Sequence, residues 1–179
     1  EAADLFRWFP ILAMVLTPFL GGFLDTKGKG ATMLMLGAII MIVCHLSFAF
    51  LLPVFPQKWF ALLLIVVLGV SFSLVPAALW PSIPKIMDKR FLGSAYSLIF
   101  WVQNFGLSFT PMLIGWALEK TNPGVAEQIA AGVEGVSYNY TVPMLLFASL
   151  GVLALLFALY LKADDRKRGY GLELPNIKE

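Results

Sequence analysis

The side chains best suited to holding a polar solute are an amide pair and a phenol inside an apolar run. Residues 91–118 carry no charge, yet they include Tyr96, Ser97, Gln103, Asn104, Ser108 and Thr110. At about 100° per residue, these six fall within one arc of roughly 160° on a helix. The opposite arc is apolar, with Leu98, Ile99, Val102, Phe105, Phe109 and Met112 among its members. Adjacent amides at Gln103 and Asn104 offer more donors and acceptors than helix packing ordinarily consumes. Two readings stand for the polar arc: the wall of a wet, solute-binding cavity, or a seam bonded to neighbouring helices.

A second stripe lies upstream. Gly69, Ser73, Pro76 and Trp80 recur at helical spacing and share a face. Pro76 removes a backbone donor and frees a carbonyl. Trp80 brings a flat ring with one N–H, and serves either as an interfacial anchor or as a cavity wall. The candidate solute-binding set is therefore Ser73, Trp80, Tyr96, Gln103 and Asn104. His45 lies in mid-run and is read as a buried neutral imidazole, with proton carriage as the alternative. Arg7 is read as a snorkelling interfacial cation, with attraction of an acidic solute group as the alternative. There is no Walker loop, no Cys/His metal spacing and no Gly-x-Ser-x-Gly turn. The sequence therefore predicts no enzyme, cofactor, metal site or nucleic-acid partner.

The elements that must position these residues follow from composition. The chain of 179 residues is 59% hydrophobic and 13% charged, with mean hydropathy +0.82. Soluble domains carry about 25% charge, so this chain cannot clothe itself in polar surface. Residues 31–57, 59–84, 91–118 and 135–161 lack charge, His45 being counted neutral. Each run exceeds the roughly 20 residues that a helix needs to cross a bilayer. Helices are expected because lipid gives backbone groups no partner. The expected fold is all-α and membrane-embedded, with spans at about 5–24, 31–52, 59–82, 92–118 and 142–161. Residues 1–162 would form the helical half-domain and 163–179 a tail. No span contains a carboxylate. Cys44 is the single cysteine, so no disulfide can form within the chain.

Orientation follows from lysine and arginine. Ten of them (Lys27, Lys29, Lys85, Lys89, Arg90, Lys162, Arg166, Lys167, Arg168 and Lys178) fall on one side, against Arg7, Lys58 and Lys120 on the other. The first side, with the tail, is expected to be cytoplasmic. The charge cluster from Lys162 to Arg168 reads as a stop-transfer signal, with lipid recognition as the alternative. The sequon Asn139-Tyr140-Thr141 falls in the loop assigned outside.

The turn Gly21 to Gly30, GGFLDTKGKG, links the first two spans. Gly21 and Gly22 would permit close helix approach. Asp25 would suit the N-terminus of the next helix, Gly28 would supply a positive φ, and Lys29 would hold the loop at the cytoplasmic face. Read as Gly21-x-x-x-Asp25-x-x-Gly28-Lys29, it resembles the loop motif of the major facilitator superfamily, with Gly30 where a second basic residue is usual. Ser73-Leu-Val-Pro76-Ala-Ala-Leu79-Trp80-Pro81, Leu92-Gly93-Ser94-Ala95-Tyr96, Gln103-Asn104-Phe105-Gly106-Leu107 and Cys44-His45-Leu strengthen the likeness. They resemble the branch that holds the lysosomal dipeptide uniporters and their bacterial relatives, over roughly residues 2–118. The resemblance implies a fold of two six-helix halves, with this chain supplying helices eight to twelve and an N-terminal half lying elsewhere in a longer protein. It also implies a secondary transporter of a small polar solute, short peptides first, in a bacterial plasma membrane or a lysosomal one. The conformational switch would be Gly21, Asp25, Gly28 and Lys29. The alternative is a non-transporting multi-span assembly subunit or receptor.

Overall fold

The computed structural model describes residues 8–177. Its elements are α1 (Trp8–Lys27), α2 (Gly30–Leu46, continued by a π-helical turn, Ser47–Leu51), α3 (Lys58–Ile86), a 3-10 turn (Lys89–Phe91), α4 (Leu92–Thr121), the short α5 (Val125–Ala130) and α6 (Thr141–Arg168). Among the described residues there is no strand, and the five long helices are each apolar and long enough to cross a membrane. The all-helical, multi-pass membrane class predicted from the charge-free runs is the class observed.

Helices α1, α3, α2 and α6 pack in that order, side by side. Small residues set the spacing, as expected where apolar helices meet in lipid. A Cβ at Gly37 would sit 3.4 Å from the Leu74 side chain, and one at Gly151 would sit 2.8 Å from Ile42. Ser71 is fully buried and its hydroxyl donates to Gly37 O at 2.7 Å, locking α3 to α2. Leu24, Met33, Leu74 and Ala78 form the core where α1, α2 and α3 meet.

Two helices run further than charge patterning suggests. α3 continues past residue 82 through Pro84 to Ile86. α6 continues through the charged cluster to Arg168, where an Arg168–Asp164 pair at 3.0 Å spans one turn and Gly169, at φ 70°, ends the helix. Both extensions end against the segment that follows α6. α4 differs from the rest: only Ala117 is buried in it, and it touches α3 and α6 lightly.

Candidate functional site

The predicted solute set divides in two. Trp80, six residues before the end of α3, meets α4: its ring stacks on Phe100 (centroids 5.0 Å apart) and lies 5.9 Å from Tyr96. Tyr96 Oη lies 3.5 Å from Trp80 O, at the outer limit of a hydrogen bond. That carbonyl lacks its usual donor, because the residue four places on is Pro84. A phenol from α4 thus lies within reach of a carbonyl that Pro84 leaves without its helix donor. About two turns beyond Tyr96 along α4, Gln103 borders a groove of about 410 Å³ with Pro76, Leu79, Trp80 and Ile99. The groove is almost wholly apolar, so the Gln103 amide is its main polar group. Asn104 is exposed next to it and spends one donor on Phe100 O, at 2.8 Å, within its own helix.

Ser73 does not join this group. It is fully buried, donates to Gly69 O at 2.8 Å, and lies 3.5 Å from Ala13 O of α1. Ser73 and Trp80 share a face of α3, but α1 covers that face at one height and α4 at another. His45 is buried as well, with Nδ1 2.8 Å from Met41 O and its ring 5.2 Å from Phe147. It borders an open apolar groove of about 910 Å³ lined from α1, α2, α3 and α6. Arg7 lies outside the described residues.

The loop motif folds around a partner that sequence reasoning missed. Gly28 and Lys29 both adopt the left-handed conformation, φ 73° and 72°, and reverse the chain in two residues. The segment Gly169–Ile177 then returns beneath them. Lys29 N donates to Glu173 O at 3.1 Å and Gly30 N to Leu172 O at 2.9 Å. Thr32 N donates to Glu173 Oε1 at 2.8 Å, and the Thr32 hydroxyl to Oε2 at 2.8 Å. Glu173 therefore satisfies open amides at the N-terminus of α2, where negative charge is favoured. Asp25 does not take that place. Its backbone oxygen accepts from Asn176 N and Ile177 N, and its Oδ1 from Asn176 Nδ2 at 2.7 Å.

The glycines of the motif differ in their surroundings. A Cβ at Gly21 or Gly22 would meet nothing within 4 Å among the described residues, so no described helix closes on them. At Gly28 it would sit 2.5 Å from Glu173 O, and at Gly30 2.9 Å from Leu172 O. A basic side chain at position 30 has no room while that segment is in place. The missed signal is Leu172-Glu173-Leu174, an apolar pair around a carboxylate between Gly171 and Pro175 in an otherwise polar tail.

In the neighbouring 3-10 turn, the Arg90 guanidinium and N–H bond the Asp88 carboxylate and hold its pKa below the ordinary value.

Comparison with known proteins agrees with this helical architecture. The chain is 33% identical over 109 residues to the lysosomal dipeptide transporter MFSD1 of Danio rerio, which is 61% of this chain and 22% of that protein. It is 32% identical to the Mus musculus protein over 62% of the chain and 22% of the relative. With the Gallus gallus protein it shares 30% over 66% of the chain and 26% of the relative. The chain thus spans about a quarter or less of the length of these relatives. No solved structure matches significantly. The family profile described as Major Facilitator Superfamily matches residues 2–176, nearly the whole of what is folded here, and the chain belongs to that superfamily.

Proposed function

We propose that this chain is part of a secondary transporter that moves a small polar solute, short peptides first, by alternating access. The observation that carries this reading is the α3–α4 groove. Exposed amides at Gln103 and Asn104 stand beside an aromatic cluster, on the one long helix that its own chain scarcely covers. Polar side chains in hydrocarbon are costly, so they mark a path for water or solute. Gln103 and Asn104 would bond the amide or charged ends of the solute, Tyr96 would position it, and Trp80 would wall the path. The remainder of the longer protein would supply the opposite wall, and the two parts would rock about a midplane site. The Gly28–Gly30 end would face the cytoplasm, by the excess of lysine and arginine there.

The test uses the complete protein in proteoliposomes with labelled dipeptides. Replacing Gln103 and Asn104 together with alanine should lower uptake about thirtyfold, since two hydrogen bonds contribute roughly 1 kcal/mol each. Membrane abundance should be unchanged. Unaltered uptake would refute the site.

A further inference from the structure

We propose that Gly169–Ile177 is a latch, with Leu172 as its apolar plug and Glu173 as its polar anchor. It holds the Asp25–Gly30 loop against the ends of α3 and α6, and its release frees that loop for the transport cycle. The regulatory step rests on the transporter reading; the docking does not.

Four helix ends converge on this segment. From α1, Asp25 accepts the Asn176 and Ile177 amides. From α2, Lys29, Gly30 and Thr32 donate to Leu172 and Glu173. From α3, Lys85 Nζ donates to Gly171 O at 3.0 Å and Leu174 O at 2.8 Å. From α6, Asp165 Oδ1 accepts the Leu172 N–H at 3.0 Å, and Lys162 Nζ lies 3.8 Å from Glu173 Oε1. Leu172 is 1% exposed and heads the fully buried side chains by volume. A tail that merely drifted at the interface would bury no leucine and order no carboxylate.

The loop is shaped for this occupant. Lys29 is left-handed without being glycine, so that conformation alone does not demand glycine here. What Gly28 adds is clearance: no Cβ fits beside Glu173 O and Leu174. With the segment docked, the loop cannot shift against α3 or α6 without breaking these bonds together. Apart from Leu172, the contacts are hydrogen bonds and one ion pair, with little buried apolar surface among them. Such contacts open locally at modest free energy.

The test compares wild type, Leu172→Asp, Glu173→Ala and Glu173→Gln in the complete protein in proteoliposomes, each shown to be monodisperse. Hydrogen exchange at the Lys29, Gly30 and Thr32 amides should be slow in the wild type. It should rise about tenfold or more in Leu172→Asp and Glu173→Ala, with Glu173→Gln between, because its amide oxygen still accepts from Thr32. Dipeptide uptake rate should change at least about threefold in the two freed variants. Equal exchange in all four proteins would overturn the docking. Faster exchange with unchanged uptake would overturn the latch's place in transport. A wild type that moves no dipeptide would count against the transporter reading instead, and the exchange data would still decide whether the segment is docked.

Discussion

The Gly28–Gly30 end of the bundle and the exposed face of α4 handle polar groups in opposite ways. At the loop, open amides, a lysine and two carboxylates find partners within the same chain, and glycines give the backbone room to reach them. On α4, Gln103, Asn104, Ser97 and Ser108 are exposed, as are Trp101, Phe105 and Phe109, which stack in a row. The loop end is completed by the chain itself; the α4 face is left uncovered by the described residues. Burial and hydrogen bonding thus separate a region whose polar groups are paired from one whose polar groups are open.

That contrast can be broken experimentally. The largest effect is expected at Gly28. Gly28→Ala adds a Cβ that meets Glu173 O and puts alanine in a left-handed position, for a loss of about 3 kcal/mol of stability, read from denaturant or thermal unfolding in detergent. The same change at Gly106, where a Cβ meets nothing within 4 Å among the described residues, should be close to neutral. The double alanine variant at Gln103 and Asn104 comes next: function lost with stability kept, the inverse of Gly28→Ala. Tyr96→Phe should cost about 1 kcal/mol or less by stripping Trp80 O of its donor. Adding Pro84→Ala returns a helix N–H to that carbonyl, so a double-mutant cycle should show the two changes compensating. The smallest effect belongs to Arg90→Ala. The Asp88–Arg90 contact is exposed, so thermal stability near neutral pH should barely move. Arg90 lowers the Asp88 pKa, so its contribution is complete above the ordinary carboxylate pKa and fades as pH falls through the lowered value. An amide titration of Arg90 by NMR checks that sign.

The helical membrane class was legible because hydrocarbon imposes it: charge-free runs of that length have few other fates. Helix ends were less legible. α3 reaches Ile86 partly because Lys85 is held by Gly171 O and Leu174 O, a contact that no local pattern encodes. Periodicity put Ser73 and Trp80 on one face, but it carries no information about which neighbour covers that face at each height. The docking of Glu173 on Thr32 joins residues 141 positions apart. Gly28 was correctly read as a left-handed position, while its tighter requirement, room for another backbone, exists only once the chain has folded.

The phenol standing in for a missing N–H at Trp80 has one more consequence. Pro84 takes away the N–H that this carbonyl would accept within α3, and the nearby donor is a side chain of α4. If the two helices part, Trp80 O loses the phenol as a donor, at a cost of about 1 kcal/mol or less. Separation therefore favours entry of a replacement donor, whether water or the N–H of a solute. Parting of the two helices and hydration of this carbonyl are therefore expected to go together.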